Sequence, residues 1–429
     1  MHGRSAAGGR SATESPAVLT GPSTRFAWLL QWKAGQRKTV YLCMVTLASC
    51  TLVMMLYGLK IWTDYAGRTP DNPPEFGDFF ALWSYGKIIA GHPASSLYAM
   101  GTLHALQVAL GMRESAFNPF PYPPVAILLF RPLTLLPYGT TYLVWTLGTL
   151  ALFVWAVAAT CSRMGISVAG IIVAPVTIGC IASGQSGFLA AALLTGGVRL
   201  AGRRPILGGI LIGLLAYKPQ MAMLVPIAFA AAGYGRAFAA ACVTVILLAS
   251  SATLAYGSGI WSDWLAMLPA YAAAFDTDPV HMTLKPTIMA NLQLAGVALP
   301  LAKAIQGLVS ITVAVLVWRC FRQEAGRLAA AALLVGTVLA TPHALIYDLP
   351  IVAAAMALFI QERMVTNPVF SLGEVGILIL GYIFPLLMLM KMKPAALPVS
   401  AVPLVLLFGL ILRDARRAEP VGRGRSRNG

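Results

Sequence analysis

The sequence predicts an all-α integral membrane protein, a bundle of about twelve transmembrane helices with amphipathic helices in its outer loops. Three observations predict it. The 429-residue chain is 58% hydrophobic and only 11% charged, whereas soluble domains carry about 25% charged residues. The apolar residues fall in charge-free runs of helical length. Arg and Lys collect between those runs, and mostly in every second loop. The net charge of +16 does not indicate nucleic acid, because the basic residues form neither a continuous face nor a stripe with interleaved aromatics.

Taken in order, residues 1–38 are rich in Gly, Ser, Ala and Arg and contain no apolar core. They are expected to be a disordered basic tail, with no cleavable signal peptide. Thr39 to Leu59 is free of charge over 21 residues, enough for one span. A long polar-punctuated stretch, 60–138, follows as an outer loop. Spans are then expected at 139–161, 166–182, 187–200, 205–217, 219–233 and 236–256. A second outer loop covers 257–298, and spans at 299–318, 327–341, 344–361, 373–390 and 395–412 complete the transmembrane domain, 39–412. A basic tail, 413–429, closes the chain.

Several of these runs fall short of the roughly 20 residues a perpendicular span needs, so tilt or burial within the bundle is expected. The stretch from Pro124 to Leu136 is shorter still, with Arg131-Pro132 inside it. At 1.5 Å per residue it reaches about 20 Å, less than the ~30 Å hydrocarbon core. Counting it as a span would also turn "RLAGRRP" outward. It is expected to be a re-entrant or interfacial segment. Both outer loops hold aromatic, sparsely polar stretches, "DFFALWSYGKIIAG" and "WSDWLAMLPAYAAAF", suited to helices lying in the interface plane.

The loops sort by charge. One alternate set holds 21 of the 31 Lys and Arg residues, and the other holds 9 of the 15 acidic ones. The positive-inside rule puts the first set, with both termini, in the cytoplasm of a multi-pass cell (inner) membrane protein. The six cysteines, Cys43, Cys50, Cys161, Cys180, Cys242 and Cys320, lie in or at the ends of apolar runs with no CxxC spacing. They read as small buried hydrophobes. Five scattered histidines and the absence of H-E-x-x-H, D-x-D or a Walker loop give no positive metal signal.

Ionisable and polar residues at helix junctions on the outer side are the candidates for chemistry. Asp78 starts a helix-like run after Gly77, so it suits an N-cap. It also suits a general base that takes a proton from a hydroxyl at the membrane surface. Glu75, Asp71 and Asp64 are its alternates. "FNPFPYPPV" places Tyr122 before Pro123-Pro124 in a rigid extended corner. "ASGQSGF" puts Gln185 in a polar break, either a tight helical turn or the lining of a cavity. Lys218, in "LLAYKPQM", either snorkels to head groups or offers a cation to a phosphate. "ATPHALIYDL" adds His343, a phosphate contact or a cap, and Asp348. Arg131 and Lys285 are reserve phosphate ligands.

The stretches "GDFFALWSYGKIIAGHPASSLY", "FPYPPVAILLFRPLTLLP", "ASGQSGFLAAALL", "GLLAYKPQ" and "TPHALIYDL", in this order, resemble glycosyltransferase family 87. The resemblance covers roughly residues 40 to 412. It implies a GT-C type membrane enzyme that moves a sugar, mannose in known members, from a polyprenyl-phosphate donor to a lipid or glycan acceptor on the outer face. It implies a catalytic Asp in the first outer loop, matched here by Asp78, and no cofactor or metal requirement. Lys218, His343, Gln185, Tyr122 and Arg131 are then expected to bind substrate. The rival reading is a transporter or flippase of lipid-linked sugars. Transporters place charges near the midplane and often show inverted repeats. Here the ionisable residues gather at the outer edge. A scaffold has no need of an outer acidic cluster.

Overall fold

A computed structural model describes residues 56, 78–114, 116, 118–159, 170–172, 174–323, 326–389 and 398–417. The two tail ends, nearly all of the expected first span and the alternates Asp64, Asp71 and Glu75 lie outside the described residues. All regular structure among the described residues is helical. The segment before the first long helix forms α1 (Phe79–Gly91), α2 (Met100–Ala109) and α3 (Val125–Phe130). The bundle follows with α4 (Tyr138–Ala158), α5 (Pro175–Ser183), α6 (Gly187–Ala201), α7 (Pro205–Gly213), α8 (Val225–Ala232) and α9 (Gly235–Tyr256). The segment between two long helices holds α10 (Gly259–Thr277), α11 (Pro279–Leu284) and α12 (Ile288–Leu294). The chain ends with α13 (Leu299–Gln323), α14 (Arg327–Ala340), α15 (Pro350–Thr366), α16 (Leu372–Leu389) and α17 (Val402–Arg417).

Long and short helices occupy different places for a physical reason. Four segments are long and apolar enough to cross a membrane: α4, α9, α13 and Ile346–Thr366, which contains α15. On α4, α9 and α13, large apolar side chains point outward, among them Leu147, Trp155, Ile246, Leu254, Ile311 and Trp318. Water would penalise so much exposed apolar surface; lipid does not. The short helices α6 and α14 are instead buried on nearly every side. A helix apolar all round belongs in the middle of a bundle, and α14 packs there against α13, α15 and α17. Small residues set the spacing elsewhere. A Cβ on Gly209 of α7 would stand 2.2 Å from the Ala237 carbonyl oxygen of α9, so those backbones touch as in other small-residue membrane contacts.

Several expectations change. Four helices of spanning length stand among the described residues, against twelve expected spans, and six further apolar helices are shorter. The run 166–182 is not one helix: residues 170–172 are helical, and a separate helix starts at Pro175, where proline is suited to the first helical position. The run 219–233 is not one helix: a 3₁₀ turn, Pro219–Ala222, precedes α8. The last helix runs past 412 to Arg417. Its end is held by ion pairs in which Arg363 meets Glu374 at 3.1 Å and Asp414 at 2.7 Å, and Arg413 meets the same two carboxylates. The Pro124–Leu136 stretch forms α3 and a 3₁₀ turn, Arg131–Thr134, far too short to span. Finally, α1 does not float with one face in water. Phe79, Phe80, Leu82, Tyr85, Ile88 and Ile89 are all buried, on more than one side of the helix.

Candidate active site

Asp78 stands at the N-cap of α1, yet its side chain makes no capping hydrogen bond. The half-buried carboxylate accepts a hydrogen bond from the Gln185 side chain instead. The turn that presents Gln185 explains how the two meet. Gly184 has φ +64°, a left-handed conformation that favours glycine. A Cβ there would also come within 2.5 Å of Phe79 Cβ, so the turn rests directly on the first residue of α1. Aromatic donors hold the turn's carbonyls. Tyr142 Oη donates to Ile181 O at 2.5 Å, Trp145 Nε1 to Gly184 O at 3.0 Å, and Tyr217 Oη to Ser186 O at 3.1 Å. The polar break is thus a tight turn and a site wall at once.

The same turn touches the 346–348 segment. A Cβ on Gly187 would lie 1.7 Å from the Tyr347 carbonyl oxygen, a clash with backbone that no rotamer change relieves. Gly187→Ala is therefore expected to lower stability by about 1–3 kcal/mol or more. Because Gln185 is two residues away, its hold on Asp78 should loosen with it. Thermal unfolding in detergent, read beside activity, checks this; an unchanged midpoint would mean that α6 and the 346–348 turn are free to separate.

Beyond that contact lies a buried ion pair. Lys218 Nζ and Asp348 Oδ1 are 2.5 Å apart, with side-chain exposures of 4% and 1%. Asp348 Oδ2 also accepts from Leu345 N at 3.1 Å, and Lys218 Nζ sits 4.9 Å from the Tyr347 ring centre. Lys218 therefore does not snorkel, and its charge is already matched by a carboxylate. Its field still reaches Asp78. Burial raises the proton affinity of Asp78 above the ordinary carboxylate value; the Gln185 hydrogen bond and the charges of His281 and Lys218 only partly offset it.

The "FPYPP" corner supplies an aromatic wall. Phe120 packs against Tyr85 and Tyr122 with ring centres 4.7 and 5.5 Å apart, and Tyr122 packs on Phe130 at 5.3 Å. Tyr85 Oη donates to Pro119 O at 2.6 Å and Tyr98 Oη to Tyr122 O at 3.0 Å, which pins the corner. Arg131 is exposed. Its guanidinium acts on Tyr256 at the end of α9.

A second charged group centres on Asp276 at the end of α10. This carboxylate is buried, with Lys303 at 3.0 Å, Lys285 at 3.5 Å and His343 at 3.8 Å. Lys285 is fully buried. It donates to Phe275 O at 2.9 Å and lies 4.0 Å from that ring's centre. Burial draws its ammonium down to about 8 against the pull of Asp276. Burial likewise lowers the proton affinity of the His343 imidazole, against the pull of Asp276, which favours its neutral form. His281, paired with Asp278 at 2.5 Å, acts on Asp78 and so links the two groups. Among the described residues, no cluster of three or more His, Cys, Asp and Glu is placed to hold a metal ion.

The family model of glycosyltransferase family 87 matches residues 120–342, more than half of the chain. The chain belongs to glycosyltransferase family 87. Comparison with curated proteins and with solved structures finds no match. As a family 87 member with long apolar helices, the protein is a membrane glycosyltransferase. The match spans the Tyr122 corner, the Gln185 turn, Lys218 and the Asp276–Lys285–Lys303 group; Asp78 precedes it. Sequence reasoning missed Asp276, Lys303, Tyr85 and Tyr347 as neighbours of the site. Only Asp276 left a signal, a carboxylate directly after the amphipathic run ending at Phe275.

Proposed function

We propose that this family 87 glycosyltransferase moves a sugar, mannose by family resemblance, from a polyprenyl-phosphate donor to a lipid or glycan acceptor at the outer face of the cell membrane. The single observation that supports it most is the Asp78 carboxylate, turned away from its own helix onto Gln185 and raised in proton affinity. A base of that kind is suited to a hydroxyl. In one inverting step the acceptor oxygen bonds to the anomeric carbon as the bond to the phosphate oxygen breaks. The hydroxyl proton goes to Asp78, and the electron pair leaves with polyprenyl phosphate. The charge growing on that phosphate is met by Lys303, and the field of the buried Lys285 behind it adds to the stabilisation. Lys303 is half exposed beside the buried Asp276, and so is the accessible cation. Both termini and the arginine-rich loops are cytoplasmic in this reading.

The test is to incubate the purified protein with radiolabelled polyprenyl-phosphate sugars and a membrane-lipid extract. A transferase produces a new labelled lipid or glycan and releases polyprenyl phosphate. Label that crosses the bilayer with no new product would leave a flippase.

The phosphate assignment carries a pH dependence. Lys285 is cationic below about 8 and loses its charge above it. Donor KM is therefore expected to rise as pH passes upward through 8. Lys285→Arg stays charged throughout, and should abolish that alkaline rise. Donor KM measured from about pH 6.5 to 9.5 decides; a flat wild-type profile removes Lys285 from the phosphate site.

A further inference from the structure

A cavity of about 540 Å³ opens at the end of the bundle opposite Asp78. Four helices relate the two ends. α6 starts beside Gln185 and ends near the cavity residue Arg199; over its 15 residues it covers about 22 Å. α14 runs from Arg327, in the cavity wall, towards His343. α15 starts two residues after Asp348 and carries Glu362, also in the wall, near its far end. α4 runs from Tyr138, which packs on Phe79, to the lining residue Ala159. This cavity is separate from the site described above.

Its lining has the chemistry of an anion site. Arg199, Arg203 and Arg327 face it, and among the described lining residues Glu362 is the one carboxylate, paired to Arg327 at 3.0 Å. The described lining thus carries three basic side chains and one acidic one. The N-terminus of the 14-residue α14 opens on the same space, where Gly326 at the N-cap provides no side-chain hydrogen bond. The first-turn N–H groups of such a helix, with its dipole, favour an anion. A further observation is independent of charge. Thr195 is 98% buried in the cavity wall, and its Oγ1 has no hydrogen-bond partner. A hydroxyl left unmatched at such depth is costly, and a phosphate oxygen would satisfy it. Phe321 and Leu334 add apolar wall beside the polar mouth.

We propose that this cavity binds a phosphate group, with Arg203 and Thr195 as ligands and the α14 N-terminus behind it. The arrangement suits the head group of an anionic phospholipid, whose tails meet the apolar wall; basic pockets between membrane helices are used in this way. A phosphate-bearing solute shares the same chemistry.

The experiment separates the two sources. Purified full-length protein in neutral detergent is titrated with short-chain phosphatidylglycerol, with short-chain phosphatidylcholine as the acyl control, and separately with pyrophosphate. The unfolding midpoint is followed. Stabilisation by phosphatidylglycerol, weakened at least about tenfold in affinity by Arg203→Ala, supports the lipid form. Stabilisation by pyrophosphate with the same loss supports the solute form. Arg203 is exposed, and Thr195→Val is a near-isosteric second variant expected to weaken binding in the same direction, so neither result depends on a misfolded protein. No stabilisation by either anion, or stabilisation that both variants leave unchanged, overturns the proposal.

Discussion

Asp78→Asn is expected to give a folded, membrane-inserted protein whose transfer rate is lower by about 10²–10⁴-fold. The loss follows from chemistry alone, because an amide cannot take the acceptor's proton. Folding should not suffer. Asn caps a helix about as well as Asp, and here the side chain makes no cap bond to lose. The Asn Oδ1 can still accept from Gln185. Linkage gives a second readout. The folded-state proton affinity of Asp78 is raised above the ordinary value of 3.8, mainly by burial. Between that value and the raised one the folded state holds more protons than the unfolded, so wild-type stability falls as pH rises through the window. The Asn variant escapes this cost and should unfold at an equal or higher midpoint at neutral pH. The wild-type rate should fall on the acid side of the same raised value, as the base becomes protonated. Near-normal transfer by Asp78→Asn would end the general-base assignment and turn attention to Glu75, Asp71, Asp64 or the buried Asp276.

The sequence made the membrane class legible because hydrocarbon-length, charge-free runs have one economical explanation, and α4, α9 and α13 answer it directly. Helix lengths in the middle of the bundle were not legible in the same way. A run such as Gly187–Ala201 ends where protein, not lipid, surrounds it, and burial inside a bundle leaves no mark that distinguishes it from a short span. The same ambiguity hid the surroundings of α1. Its aromatics suit a membrane interface as well as a protein interior, and only the packing of Phe79 on Tyr138 and Tyr142 and the close approach of Gly184 decide for the interior. At the site, single residues were readable and partnerships were not. Asp78 and Gln185 each stand out as polar residues at junctions, but their hydrogen bond joins residues 107 positions apart. Lys218 stood out as an expensive charge in an apolar context. Its partner Asp348, 130 residues away, was noticed separately as another expensive charge, and nothing in the spacing joined the two.

That partnership makes a prediction opposite to the one expected of a phosphate ligand. Lys218→Met is expected to destabilise the protein by about 3–5 kcal/mol, because it leaves the carboxylate of Asp348 buried without its cation. Asp348 still accepts the Leu345 amide, which cannot replace a charge. Removing the carboxylate as well, in Lys218→Met with Asp348→Leu, should restore most of the stability, since a buried pair exchanged for apolar side chains is often close to neutral. Midpoints from thermal unfolding of the two single variants and the double variant close a mutant cycle, and a strong favourable coupling between the two residues is expected. A lysine whose task is to hold donor phosphate behaves otherwise. Its replacement would leave a stable protein with a raised donor KM, and deleting Asp348 would rescue nothing. The cycle also reports on catalysis at a distance, for the Lys218 charge helps to hold Asp78 ionised. With that charge gone, Asp78 binds its proton more tightly and the acid limb of the rate profile moves to higher pH. A Lys218→Met protein with wild-type stability and an unmoved acid limb would show that the 2.5 Å pair supports neither the fold nor the base.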